Sequence, residues 1–194
     1  MHKMLEGLKV VDMTLAIAGP SCTKLLAEWG CDVIHIEGFN GDMNRTIDNE
    51  FPNMNKRAIT VDVKKPEGLE LIYKLASEAD FFITNFRPRA IQNMKLDYES
   101  IKQVKPDIIY GLITGFGEYG PDADRPGYDT VAYWARSGMM FDITQAGSGP
   151  VVPPSCVGDI TAGIDLAAGV LAAYIHKQVT GKGEKVMVSL LAHG

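Results

Sequence analysis

The sequence predicts an α/β fold of the Rossmann-like class, in which an open parallel sheet carries helices on both faces. Short β-branched runs such as KVVDM at 9–13 alternate with stretches of helical period, and this alternation favours parallel strands joined by helices. A loop rich in Gly, Pro and Asp follows the fifth strand, where open parallel sheets build binding sites. The 194 residues, 46% of them hydrophobic, suffice for one full core.

Four strands and two helices are predicted in the first half of the chain. The strand runs are KVVDM (9–13), CDVIHIE (31–37), RAITVDV (57–63) and DFFITNF (80–86). Between the first two runs, Pro20 opens a helix and Gly30 closes it. A second helix is predicted from Pro66 to about Ala79.

The second half begins with a helix that Asp97 caps and that runs through Val104. The other predicted elements are a fifth strand DIIYGLI (107–113), a loop from Thr114, a helix over 129–137, a long helix over about 159–180 and a sixth strand in GEKVMVSLLAHG (183–194). Because the chain ends on an apolar stretch with nothing to pack on, we expect it to be the front part of something longer.

Composition excludes several classes of function. The net charge of −5, from 19 basic and 24 acidic residues, gives no sign of a basic stripe for nucleic acid. An anionic ligand would therefore have to be bound by basic groups gathered at its own site. Three cysteines without a C-x-x-C pair indicate reduced thiols and a cytoplasmic protein. No signal peptide or membrane span is expected. The four histidines lack metal spacing, so no metal site is expected.

The loop after the first strand tests the sequence for a dinucleotide site. A nicotinamide cofactor would need G-x-G-x-x-G there, but AIAGP offers one glycine followed by Pro20, which has no backbone donor. Glu37 does stand where an acid would bind the ribose. An NAD-linked dehydrogenase therefore stays a disfavoured possibility. No serine lies in a G-x-S-x-G elbow, and His35, in a strand, is expected to be packed or exposed rather than catalytic.

Asp159 is the acid that raises a functional question, in the stretch PPSCVGDITAGIDLAAG (153–169). It stands at the start of a long helix that is apolar on nearly every face, which predicts a partly desolvated carboxylate. One interpretation makes Asp159 the N-cap of that helix. The other makes it a nucleophile that the helix dipole keeps ionised.

The whole chain resembles the class III CoA-transferases, the family of formyl-CoA transferase and the carnitine and aryllactate CoA-transferases. The resemblance depends on seven motifs in order: LEGLKVVDMTLAIAGP (5–20), LLAEWGCDVIHIE (25–37), NKRAITVDVKKPEG (55–68), TNFRP (84–88), ITGFGEYGP (113–121), RPGYD (125–129) and GD (158–159). It implies that Asp159 attacks an acyl-CoA thioester and passes through a mixed anhydride to an aspartyl-CoA intermediate, from which water is excluded. Coenzyme A would be a substrate rather than a tightly bound cofactor.

The resemblance also assigns residues to CoA binding. Ile17 and Ala18 would offer backbone contacts near the pantetheine, and the remaining contacts would come from Val61, Asp62, Lys64, Asn85, Phe86, Arg87, Asn93, Arg125, Tyr128 and Asp129. Gly38 and Asn93 stand where formyl-CoA transferase has phosphate-binding arginines. Arg87, Arg89, Lys56 or Lys64 would compensate, unless each is an ordinary solvated side chain.

Substrate choice follows from departures within the motifs. Tyr128 replaces the histidine of the related α-methylacyl-CoA racemases, which argues against racemisation. Ile17 replaces a polar residue, and Trp134 and Met140 would line an apolar acyl pocket unless they are ordinary core. The stretch that contains them, 124–140, and the loop after it resemble the 2-hydroxyacid and aryllactate CoA-transferases more than the oxalate-using formyl-CoA transferases.

The domain prediction comes from the same resemblance. Residues 1–194 would form the N-terminal part of the CoA-binding, Rossmann-like large domain, without the small domain and the returning C-terminal segment. Family members interlock as homodimers, and acyl-CoA and a small carboxylic acid would be the other partners. The alternative is a CoA-binding domain without turnover.

Overall fold

A computed structural model describes residues 3–46, 51–151 and 153–194 and contains a six-stranded sheet. All strands are parallel, in the order β3-β2-β1-β4-β5-β6. The strands are β1 (Lys9–Met13), β2 (Asp32–Glu37), β3 (Arg57–Thr60), β4 (Phe81–Thr84), β5 (Ile109–Thr114) and β6 (Lys185–Ser189). This arrangement confirms the predicted fold class.

Helices connect the strands and cover both faces of the sheet. They are α1 (Ala18–Glu28), α2 (Met43–Thr46), α3 (Pro66–Ser77), α4 (Pro88–Asn93), α5 (Tyr98–Val104), α6 (Met139–Asp142), α7 (Val157–Thr180) and α8 (Leu190–His193). A 3₁₀ turn covers Phe51–Asn53 and a π-helix covers Thr130–Arg136. The six predicted strands are all present, with shifts of a few residues at their ends.

Local capping chemistry sets several helix boundaries. Asp97 accepts hydrogen bonds from the backbone N–H groups of Glu99 and Ser100, which confirms it as the N-cap of α5. Pro66 occupies the first turn of α3, where its missing N–H costs nothing. The short helix α4 was not predicted from the sequence. The helix predicted over 129–137 forms a π-helix instead of an α-helix.

Two apolar layers hold the helices onto the sheet. Leu26 of α1 and Leu166 of α7 are fully buried on one face, and Ile72 of α3 is fully buried on the other. Each such side chain contributes about 2 kcal/mol to folding. By length and composition α7 could cross a membrane, and 44% of its most apolar stretch is buried by the rest of the structure.

The carboxyl edge of the sheet contains the switch point where the strand order reverses, between β1 and β4. The loops after these strands meet there, because the Asn85 side chain accepts from the N–H of Leu15 at 2.8 Å and donates to its carbonyl at 2.7 Å. Open α/β sheets bind ligands in the crevice at such a point. The crevice is therefore bordered by the β1–α1 loop, residues 14–17.

Candidate active site

Asp159 lies in the first turn of α7, which begins at Val157 after Cys156. Its side chain is buried, with 8% of the residue exposed. The N-cap position belongs to Cys156, which adopts a left-handed conformation with φ of 66°. The interpretation of Asp159 as the N-cap is therefore wrong.

Asp129, the N-cap residue of the π-helix, supplies the carboxylate that caps α7. Its Oδ1 accepts from the N–H of Asp159 at 3.1 Å, and its Oδ2 accepts from the N–H of Cys156 at 3.0 Å. The Trp134 indole donates to the same Oδ2 at 3.1 Å. Asp129, 5% exposed, thus positions the nucleophile candidate through the backbone. Local sequence rules missed this role, because they seek a cap within a few residues of the helix.

Gly158 permits this close packing at the start of α7. A Cβ there would overlap the Tyr133 ring and lie 2.5 Å from Oδ1 of Asp129. The ring of Tyr133 packs edge-on against Trp134, with centroids 5.2 Å apart. The GD pair of the sequence therefore has a steric basis: Gly158 lets the π-helix approach, and Asp159 follows at a buried position.

The charge of Asp159 is disfavoured by its surroundings. Burial, and secondly the nearby Asp129 carboxylate, raise the pKa of Asp159 from the usual 3.8 to about 6. The helix dipole, which we expected to favour the ionised form, is outweighed. Within the described residues, no hydrogen bond occupies the Asp159 carboxylate oxygens. At neutral pH the group is an ionised, basic and weakly solvated carboxylate, as a nucleophile requires.

Helices α7 and α1 bring Asp159 close to the predicted pantetheine contacts. Gly163, one turn after Asp159, packs so closely on α1 that a Cβ would lie 2.7 Å from the Ala18 carbonyl oxygen. Ile17 is the N-cap of α1, and its carbonyl accepts from the Ser21 N–H at 2.8 Å. Ala18 is buried, which leaves backbone groups as its means of contact.

The two segments predicted for the nucleotide lie on either side of this loop. Val61 belongs to the core, whereas Lys64 is exposed and Asp62 accepts from the Lys64 N–H at 3.0 Å. Asn85 holds Leu15 by two hydrogen bonds, and the Phe86 N–H donates to Thr84 Oγ1 at 3.2 Å. Asn85 therefore shapes the loop itself.

Two arginines that were predicted to contact coenzyme A already have protein partners. The Arg87 guanidinium donates to the Asp124 carbonyl at 3.1 Å, and Arg125 pairs with Asp122 at 3.0 Å. These side chains remain exposed, as does Asn93.

Lys56 and Arg89 differ in whether their side chains are accessible to a phosphate. Lys56 is not free for one, because its side chain is 1% exposed and its Nζ lies 2.9 Å from Asp12. Arg89 is exposed, and its backbone N–H donates to the Asp124 carboxylate at 2.9 Å.

The residues predicted for the acyl side separate into exposed and buried positions. Tyr128 is 68% exposed, beside the capping Asp129. Trp134 is buried and bonded to Asp129, so the core interpretation applies to it and the pocket interpretation does not. Met140 is half-buried and packs against the cluster around Tyr133. Among the described residues, no group of three or more His, Cys, Asp or Glu could hold a metal ion.

Comparison with known proteins decides the family. The family model described as CoA-transferase family III matches residues 5–194. The chain belongs to this family. Its family III relatives include (R)-2-hydroxy-4-methylpentanoate CoA-transferase of Clostridioides difficile, 43% identical over 96% of the chain. Cinnamoyl-CoA:phenyllactate CoA-transferase of Clostridium sporogenes is 37% identical over 97% of the chain.

Solved structures agree with the family III assignment. A CAIB/BAIF family protein from Brucella suis superposes with a TM-score of 0.92 and 35% identity over 100% of the chain, which is 55% of that protein. Rv3272 from M. tuberculosis gives a TM-score of 0.93 and 31% identity over 99% of the chain, which is 54% of that protein. The chain also spans about half the length of the curated relatives it matches, 50% and 49% for the two clostridial enzymes.

Proposed function

We propose that this polypeptide carries the nucleophile and part of the CoA site of an acyl-CoA:carboxylate CoA-transferase. The observation that carries the proposal is the buried Asp159 carboxylate, which has a raised pKa and is held by Asp129 at the start of α7. The carboxylate oxygens of a helix cap accept hydrogen bonds from backbone N–H groups. Here the Asp129 carboxylate caps α7, so the Asp159 oxygens are left available to react.

The proposed first step is attack on the thioester. One Asp159 oxygen forms a bond to the acyl carbon, the carbon–sulfur bond breaks, and CoA leaves as a thiolate, which gives a mixed anhydride. The thiolate then attacks the Asp159 carbonyl carbon and expels the acyl group as a free carboxylate. The product is an aspartyl-CoA thioester. An incoming carboxylate reverses both steps and leaves as its own CoA thioester.

The pKa of Asp159 suits this sequence of steps. A carboxylate with a pKa near 6 is mostly ionised at neutral pH and is more basic than an ordinary aspartate. Burial removes water that would compete as a nucleophile and hydrolyse the anhydride or the thioester. The raised pKa therefore supports nucleophilic attack in a water-poor site.

The proposed substrates are 2-hydroxy acids or aryllactate- and carnitine-like acids and their CoA thioesters. The names of the two clostridial relatives, which act on a 2-hydroxy acid and on phenyllactate, support this class. The apolar Ile17 at the start of α1 favours a less polar acyl group than oxalate. Racemisation is disfavoured, because Tyr128 offers no imidazole for proton transfer.

Coenzyme A is proposed to lie across the carboxyl edge of the sheet as a substrate rather than as a resident cofactor. Ile17 and Ala18 would meet the pantetheine, 61–64 and 85–87 would meet the nucleotide end, and Tyr128 would face the acyl group. The exposure of Lys64, Arg87 and Tyr128 supports these assignments. Phosphate binding would then require Arg87 and Arg125 to exchange their present partners.

The wider context of the chain is also proposed. We infer that residues 1–194 are the N-terminal part of a large domain, that the protein is cytoplasmic, and that the longer family architecture forms a homodimer. The match to about half of each relative supports the first inference. Three free cysteines support a reducing compartment.

The decisive experiment is intact-mass measurement after incubation with 2-hydroxyacyl- and aryl-acrylyl-CoA thioesters. The native chain should gain a CoA-sized adduct that hydroxylamine removes and that maps to Asp159. Asp159→Asn should gain none, whereas Asp165→Asn, a matched exposed carboxylate on the same helix, should behave like the native chain. An adduct on Asp159→Asn, or CoA binding without any adduct, would contradict the nucleophile assignment for this polypeptide.

A further inference from the structure

A buried cluster of charged side chains lies beneath the β1–α1 loop, apart from Asp159. Asp12 comes from β1, His35 from β2, Asp42 from the segment after β2, and Lys56 from the residue before β3. All four side chains are at most 1% exposed. Burying charges is costly unless they are paired, so the arrangement of the pairs indicates what the cluster holds in place.

His35 joins the two carboxylates of the cluster. Its Nε2 is hydrogen-bonded to Oδ2 of Asp42 at 3.1 Å, and its Nδ1 lies at ion-pair distance, 3.1 Å, from Oδ2 of Asp12 without hydrogen-bond geometry. Two carboxylates within ion-pair distance of the buried ring favour its protonated form through charge attraction. With Lys56 2.9 Å from Asp12, two cations then balance two carboxylates.

The cluster holds the β1–α1 loop at two points. Asp12 accepts from the Thr14 hydroxyl at 2.5 Å. Asp42 accepts from the N–H of Asn44 at 2.7 Å, and the Asn44 amide donates to the Ala16 carbonyl at 2.9 Å. Ala16 has a φ of 60°, a left-handed conformation that a residue with a Cβ keeps only when its surroundings hold it.

We propose that protonated His35 is a positioning residue for coenzyme A. It holds the β1–α1 loop in its ligand-binding shape through Asp12 and through the hydrogen bonds that connect Asp42 to Asn44 and Asn44 to Ala16. This inference rests on the proposed function, because it assumes that the loop binds a CoA thioester. When His35 loses its proton, the buried cluster keeps an unbalanced carboxylate. The connection from Asp42 to Ala16 then weakens, and the loop loses its shape.

Asp12, Asp42 and Cys22, which lie around His35, each keep one protonation state through the neutral range. Burial acts to raise the pKa of Asp12, but Lys56 and His35 hold it well below the usual value. The pKa of Asp42 is also lowered, by its hydrogen bonds from Asn44 and His35 against the effect of burial. Cys22 of α1, which faces Asp12 and Lys56, has a pKa raised by burial and stays a neutral thiol.

The direction of the pH effect follows from His35 itself. Burial acts to lower its pKa, but Asp12 and Asp42 outweigh burial and raise it above 6.5. The folded loop therefore binds a proton more tightly than the opened loop does. Its stabilisation is complete below about pH 6.5 and is lost as the pH rises through the pKa of folded His35.

The first test is independent of ligand. Amide protection factors, which are corrected for intrinsic exchange, should be measured at residues 15–19, and the titration of the His35 ring should be followed by NMR. The protection factors should fall as the pH rises through that titration. Protection in β5 should stay constant. His35→Gln should show low protection at 15–19 with no pH dependence. His176→Gln, an exposed histidine that pairs with Glu184 at 2.7 Å, is the matched control and should behave like the native chain.

The second test measures the dissociation constant for coenzyme A by calorimetry. Asn44→Ala removes the hydrogen bond to Ala16 without touching a charge, and it should weaken binding about tenfold at about pH 6. His35→Gln should weaken binding similarly and should abolish the loss of affinity that the native chain shows at higher pH. Both variants should still form the Asp159 adduct at saturating acyl-CoA.

The outcomes separate this inference from the proposed function. A His35 ring that is neutral at about pH 6, or loop protection that does not follow its titration, would overturn the positioning role. Equal loss of protection in β5 would indicate a purely structural role and would also overturn it. If the native chain binds no coenzyme A at any pH, the proposed function fails for this chain, and the protection factors still decide what His35 does.

Discussion

Replacing Asp159 by Asn is expected to stabilise the protein at about pH 8 by up to about 3 kcal/mol. Burial, and secondly the Asp129 carboxylate, raise the pKa of Asp159 from 3.8 to about 6. Each unit of pKa corresponds to about 1.4 kcal/mol, so ionising this group costs the folded state about 3 kcal/mol more than it costs the unfolded chain. The neutral amide avoids that cost at nearly the same volume.

The stability difference between the native protein and Asp159→Asn depends on pH. Between about pH 4 and pH 6 the folded protein holds a proton on Asp159 that the unfolded chain has lost, so the native protein loses stability as the pH rises. Below about pH 4 both states are protonated, and the difference between native and variant should disappear. Above about pH 6 the full difference should remain.

Urea unfolding of both proteins at a series of pH values measures this difference directly. Glu70→Gln makes the same chemical change at an exposed position of α3, and its stability should differ little from that of the native protein at every pH. A variant that is less stable than the native protein at about pH 8, or a difference that does not change with pH, would refute the argument. Loss of the CoA adduct together with gained stability would identify Asp159 as a group kept for chemistry.

Three further predictions concern the same site. Asp129→Ala removes the acceptor for two backbone N–H groups and the Trp134 indole, and we expect a loss of about 3 kcal/mol in urea unfolding, whereas Asp129→Asn should lose less. Gly158→Ala should destabilise by about 1–3 kcal/mol because its Cβ would overlap Tyr133, and Gly169→Ala, which meets only the Val186 side chain at 2.7 Å, should lose less. The rate of CoA-adduct formation should rise about tenfold per pH unit below the pKa of Asp159, near 6, and level off above it; a flat profile would argue against an ionised nucleophile.

Local patterns in the sequence were enough to predict much of the fold. The strand runs appear as β1 to β6, because short β-branched and apolar stretches bury well in a parallel sheet. Asp97 caps α5 as predicted, because its partners Glu99 and Ser100 are two and three residues away. Prediction failed where the signal was weak. Helix α4 has six residues, and the π-helix has the same side-chain pattern as an α-helix.

The candidate site was predicted only in part. Asp159 was identified by its place before an apolar helix and by the family motif, and both are properties of the chain alone. One of the two interpretations made Asp159 the cap of α7, and it was wrong because Asp129, 30 residues before Asp159, supplies that cap. Lys56 was counted as a possible phosphate ligand, but it is buried against Asp12, 44 residues away.

The amino-acid sequence was sufficient to establish the fold class, the family, most helix and strand positions and the identity of the acid at the start of α7. Which groups surround that acid depends on the folded chain, and those groups raise its pKa to about 6. The folded chain also places His35 between Asp12 and Asp42. The physical reason is distance along the chain: hydrophobic period and capping act within a few residues, whereas burial and charge pairing depend on residues that only the completed fold brings together.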